Sequence, residues 1–143
     1  MFDGSGNPVL KQIGRDVSTS TSHRVADFVP GTNTWSVSAA RANPASIVFT
    51  GTLGDGFQSQ KCLNQIFILG NNGGGTQVKV AIYNPETDSM SGFNADPGTV
   101  TDTWADFCEF KGNVYYATRK DATTFALYRV SGGTFVEEHT RGS

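Results

Sequence analysis

The chain reads as all-β, and three observations predict it. Its apolar runs are short and rich in Val, Ile, Phe, Tyr and Thr, the residues that fit a pleated, half-buried surface. Gly, Pro, Asn and Asp punctuate those runs, and no window sustains a helical period. One motif also recurs. Val25-Ala-Asp-Phe-Val-Pro-Gly-Thr-Asn-Thr-Trp35-Ser36 returns as Val80-Ala-Ile-Tyr-Asn-Pro-Glu-Thr-Asp-Ser-Met90-Ser91, and more weakly as Phe125-Ala-Leu-Tyr-Arg-Val-Ser-Gly-Gly-Thr-Phe135-Val136. Each copy places an aromatic (Phe28, Tyr83, Tyr128) seven positions before a large apolar residue (Trp35, Met90, Phe135). Repeats at such spacing are stacked supersecondary units, which need neighbours to bury their apolar faces.

In chain order the strands are expected at residues 9–13, 23–29, 35–39, 46–53, 65–69, 78–83, 89–93, 105–110, 114–118, 124–129 and 134–139. The turns between them have mechanisms. Pro30 and Pro85 take the second position of tight turns, and Asn33 and Asp88 later in those turns can bond local backbone. Ser131-Gly-Gly-Thr134 suits a two-residue hairpin with positive φ, and Lys111-Gly-Asn-Val114 is another tight connection. Gln65-Ile-Phe-Ile-Leu-Gly70 aligns with Asn113-Val-Tyr-Tyr-Ala-Thr118. Such near-continuous apolar runs fit strands buried on both faces. The stretch from Gly54 to Lys61 reads either as a loop after a strand at 46–53 or as part of that strand.

Each unit is therefore four strands. The chain divides into a partial unit (1–42), a full unit (43–95) and another (96–143). Equivalent blades would place Trp35, Met90 and Phe135 in one buried layer. The turn at Pro85 and Thr87 is expected to support its own unit only.

These residues resemble the kelch-type blade of β-propellers. Phe28-Val-Pro-Gly-Thr-Asn-Thr-Trp35 and Tyr83-Asn-Pro-Glu-Thr-Asp-Ser-Met90 match its turn between strands three and four, and Ile66-Phe-Ile-Leu-Gly70 is similar to the strand before its Gly pair. The resemblance spans residues 22–139. It departs in having one Gly where two are expected, Met90 and Phe135 in place of Trp, and no Pro in the third turn. A closed propeller has about four to eight blades. The resemblance thus implies kelch-like four-stranded antiparallel blades in an incomplete propeller or sheet array, completed by partner chains. Propellers of this family are mostly binding platforms, so fold alone does not choose a function.

Composition excludes several functions. The 143 residues carry a net charge of −2 with no basic stripe, so nothing draws the chain to nucleic acid or an anionic membrane. No apolar run approaches the length of a membrane helix. Residues 1–8 lack the basic and apolar regions of a signal peptide, so the expected location is the cytoplasm of the producing cell. Cys62 and Cys108 are expected as two buried free thiols at related positions.

Catalytic chemistry finds no support. His23 and His139 lack partners at ligand spacing and are expected to face solvent. Asp3-Gly-Ser-Gly-Asn7 lacks the downstream Glu of a calcium loop. Gly70-Asn-Asn-Gly-Gly-Gly-Thr76 lacks the Lys of a phosphate loop, and Gly51-Thr-Leu-Gly-Asp-Gly56 precedes a strand. Among Asp96, Asp102, Asp106 and Glu109, the last two alternate to opposite strand faces, against a paired-carboxylate mechanism. No metal or cofactor is expected.

The leading expectation is a non-enzymatic structural protein completed by protein partners or copies of itself. The low-charge Gly, Thr, Ser and Asn-rich composition suggests a bacteriophage virion setting: tail, neck or fibre. The alternative is a carbohydrate- or protein-binding propeller module. Its contact residues would be Asn71, Asn72, Arg119 and Asp121, in loops joining strands two and three, together with Trp104.

Overall fold

The computed structural model describes residues 4–16, 18–49, 59–71, 78–93, 105–121 and 123–142. Twelve strands form three antiparallel four-stranded sheets, none closed into a barrel. The N-terminal sheet holds β1 (Lys11–Arg15), β2 (Ser22–Val29), β3 (Thr34–Val37) and β4 (Arg41–Ala42). Both β3 and β4 pair with β2, so together they are one interrupted outer strand. The central sheet is a meander of β5 (Ser59–Cys62), β6 (Gln65–Asn71), β7 (Val78–Asn84) and β8 (Ser89–Phe93). The C-terminal sheet repeats that order with β9 (Ala105–Phe110), β10 (Asn113–Arg119), β11 (Thr124–Ser131) and β12 (Thr134–Gly142).

The turns follow from their residues. Asn33 (φ 53°) and Asp88 (φ 48°) hold the same left-handed position in the two Pro-containing turns. Asn and Asp tolerate that conformation because their short polar side chains bond locally. Asn84 Oδ1 accepts the Glu86 N–H at 2.9 Å, fixing the start of the second turn. Gly132 and Gly133 both have positive φ, as a two-residue hairpin requires.

Register tests the repeat. Phe28 pairs with Trp35, Tyr83 with Met90, and Val130 with Phe135. The outer-strand residues are therefore equivalent. In the third unit, however, the residue opposite is Val130 rather than Tyr128. The turn there is two residues, at 132–133, against four at 30–33 and 85–88. Tyr128 lies opposite Glu137 instead, beside a bulge at Glu138.

The sheets stack in one sense. One face of the central sheet, with Cys62, Phe67 and Val80, packs on Phe107, Val114, Tyr116, Ala126 and Tyr128 of the C-terminal sheet. Phe67 and Phe107 lie 5.2 Å apart, centroid to centroid. The other face, with Ile66, Ile68, Ala81 and Met90, packs on Ile47, Phe49 and Ile13. The central and C-terminal sheets come closest at one edge. The first strands β5 and β9 run alongside each other. There the Leu63 N–H donates to Glu109 Oε2 at 2.6 Å.

The segment 43–49 is a wedge between the first two sheets. The Phe49 N–H bonds Ser20 O at 2.9 Å, and Asn43 Nδ2 bonds Ile47 O at 2.8 Å. Its bed on the central sheet includes two glycines where the wedge comes closest. A Cβ on Gly70 would strike Ile47 Cγ2 and come within 2.9 Å of Val48 O; one on Gly92 would come within 2.7 Å of Ile47 Cδ1.

Five expectations are corrected here. Among the described residues the first strand of the central sheet is Ser59–Cys62; of the strand expected at 46–53, residues 50–53 lie outside the described residues, and Ser46 closes a 3-10 turn over 44–46, where Pro44 lacks the N–H a central strand needs. Burial on both faces holds for β6, whose Phe67 and Ile68 are both buried, but β10 buries only Val114, Tyr116 and Thr118, because no described sheet covers its other side. Trp35 is exposed rather than buried, for the same reason at the opposite end. His23 is buried, since the wedge covers it. Cys62 is buried but Cys108 is exposed. The two are not equivalent, because Cys62 pairs with Gln65 at the hairpin start and Cys108 with Tyr115 two positions further back.

Candidate interaction surfaces

Stacking in one sense leaves two faces without a neighbour among the described residues. The hairpin pair Tyr83–Met90 faces the wedge, and Val130–Phe135 faces the central sheet. The equivalent pair Phe28–Trp35 faces no sheet among the described residues. Its rings contact at 5.5 Å, and Trp35 is 45% exposed, with Leu10 and Val37 each 58% exposed beside it.

The opposite end is the reverse face of the C-terminal sheet. Its register sets Phe110, Cys108, Tyr115, Phe125, Leu127, Arg129 and Val136 on one side. Phe110 is 58% exposed, Phe125 54% and Val136 38%. The equivalent face of the central sheet is the one that the C-terminal sheet covers. Contiguous exposed apolar residues on a sheet face mark interaction sites. The first strand of the N-terminal sheet, β1, pairs only with β2, which leaves an unpaired edge among the described strands.

A polar seam locks the first two sheets. The Tyr83 hydroxyl donates to Asp88 Oδ1 at 2.5 Å, and Arg41 Nη2 reaches Asp88 Oδ2 at 2.9 Å. Lys11 bonds Asp27 at 2.6 Å and lies 3.9 Å from Asp88. Arg41 and then Tyr83 hold the Asp88 carboxyl below its ordinary value, although partial burial opposes them. Burial first, and then the Asp88 bond, push the Tyr83 phenol up. Asn43 Nδ2 donates to Ile47 O and to Ser20 O, so Asn43 Oδ1 is the acceptor of its bond with His23 at 3.0 Å. His23 therefore carries its proton on Nδ1. Each group already has a protein partner, so the seam has the character of a joint.

The turn thus reaches beyond its own unit. Arg41 comes from the N-terminal sheet, and a Cβ on Gly4 would come within 2.5 Å of Glu86 O. This corrects the expectation that the Pro85 and Thr87 turn supports one unit alone. Sequence reading also missed Asn43. Its signal was an Asn before a Pro, which reads only as a turn.

The other sequence-named positions are spread. Asn71 ends β6 opposite Val78, and Arg119 ends β10 opposite Phe125, at corresponding ends of corresponding strands. Asn72 and Trp104 lie outside the described residues. Asp121 Oδ1 accepts the Thr123 N–H at 2.8 Å and its hydroxyl at 3.1 Å; these bonds, the backbone one first, hold its carboxyl low. Asp96 and Asp102 lie outside the described residues. Asp106 and Glu109 sit opposite Ala117 and Val114 in the β9–β10 register. Among the described residues, no three His, Cys, Asp or Glu side chains converge as a metal site, and no helix is long and apolar enough to cross a membrane. No protein-family model matches the chain, and no curated protein is significantly similar to it in sequence.

Proposed function

We propose that this chain is a non-enzymatic structural protein, a stack of kelch-like blades that completes its fold inside a larger assembly. The observation that carries the proposal is the pair of exposed apolar end faces, Leu10–Phe28–Trp35–Val37 and Phe110–Phe125–Val136. Inside the chain, equivalent faces are covered by neighbouring sheets. The unpaired β1 edge supports the same reading, since soluble monomers avoid such edges. The setting we propose is a bacteriophage virion, in a tail, neck or fibre; the low charge and the Gly, Ser, Thr and Asn-rich composition support it.

The test is light scattering on the purified chain, with a dye that reports exposed apolar surface. The expected result is association, or dye binding by whatever monomer remains. A compact monomer that binds no dye at any concentration overturns the proposal.

A further inference from the structure

The two end faces are not interchangeable. One corresponds to the face by which the C-terminal sheet sits on the central sheet. The other corresponds to the face by which the central sheet receives it. A surface that continues an internal stack in both directions joins head to tail, not like to like. The contact inside the chain is the template: aromatic and β-branched residues, with Phe67 and Phe107 in tilted contact. Phe28 and Trp35 offer the same chemistry at one end, and Phe110 and Phe125 at the other.

The close approach of the central and C-terminal sheets at one edge favours a ring over a filament. Close approach at β5 and β9 wedges the sheets, so repeated stacking turns about an axis beside the first strands. The described residues of one chain supply three sheets. Two chains supply twice three, within the range of about four to eight that closed propellers use; one chain falls short of it and three chains exceed it. A net charge of −2 per chain sets up little repulsion between copies.

We infer that two copies of this chain close into a six-sheet ring, each seating its Phe28–Trp35 face on its partner's Phe110–Phe125 face. The inference rests on the assembly reading above and names its partner. Cys108 lies on the receiving face, beside Tyr115, and is covered when the ring closes.

Sedimentation of the whole chain gives the mass, with twice 15.3 kDa expected. Two variants then test the geometry: Trp35→Glu with Val37→Glu on one face, and Phe110→Glu with Phe125→Glu on the other. Either variant alone is expected to self-associate more weakly by about 30-fold or more, the effect of losing an interface hot spot. An equimolar mixture of the two is expected to form a mixed dimer, because one intact face of each kind remains. That rescue also shows that both variants fold. Lysine replacements at the same positions serve if glutamates prevent folding.

Three outcomes overturn the inference. The first is a variant that still dimerises alone, which means like-to-like contact. The second is mass that grows with concentration, which means a filament. The third is a monomer that binds the apolar dye, which leaves the assembly reading standing with a different partner. A monomer that binds no dye removes both.

Discussion

Asp88 joins two sheets that sequence places in different units: its carboxylate accepts the Tyr83 hydroxyl from its own hairpin and Arg41 from the neighbouring sheet. Asp88→Ala leaves the buried Tyr83 hydroxyl without its acceptor. The expected loss is about 1–3 kcal/mol, mostly from that orphaned group, because the half-exposed Arg41 pair is screened. Its folded-state pKa lies below the ordinary 3.8. The stabilisation is therefore complete above that value and is lost as pH falls through the lower folded one. Denaturation curves should show wild type and Asp88→Ala converging below pH 3.8.

Gly70 tests the wedge. A methyl group there meets Ile47 and the Val48 carbonyl, and a backbone atom cannot swing aside. Gly70→Ala is expected to cost about 1–3 kcal/mol by overpacking. Gly14 has nothing within 4 Å of its missing Cβ, so Gly14→Ala is the control. It should be neutral or stabilising by about 0.4–1 kcal/mol. Urea unfolding of the two variants checks both values.

His23 should make the fold sensitive to mild acid. Burial first, with Arg41 adding to it, lowers its pKa below 6.5, and the bond to Asn43 and the charge of Asp88 only partly oppose this. The folded state thus favours the neutral ring. Its stabilisation is full above pH 6.5 and is lost as pH falls through the folded value. The midpoint temperature is expected to drop over that interval, and His23→Gln should lack the slope. That variant also forfeits the Asn43 bond, at about 1–3 kcal/mol.

The two thiols should separate cleanly under alkylation. Cys108 is exposed and Cys62 buried, so a small thiol reagent is expected to label one site on the native chain and both after unfolding. Peptide mass mapping identifies the site. Labelling of Cys62 first would contradict the packing of the central sheet.

Sequence exposed most of the strand order because the turns declare themselves. Pro30, Pro85 and the Gly132–Gly133 pair each dictate a backbone conformation, and the strands follow from where the chain must reverse. The same reading failed at residues 46–49, whose apolar pattern fits a strand although they belong to the wedge. Periodicity reports that Ile47 and Phe49 are buried, but not what they are buried against. The end faces were hidden for a related reason. Trp35 and Met90 look alike in sequence, and only stacking order leaves one of them outside. Asn43 and Asp88 act across units, and local pattern carries no information about that.

The third hairpin turn is shorter than the first two by an even number of residues, and parity is what that preserves. Side chains alternate across a strand, so a loss of two residues keeps every outer-strand residue on its original side, whereas a loss of one would turn the whole strand inside out. Phe135 still meets Val130 as Met90 meets Tyr83, although the aromatic and the proline of the motif have shifted or gone. A turn shorter by two can thus leave the outer strand's packing as it is while the letters around it differ.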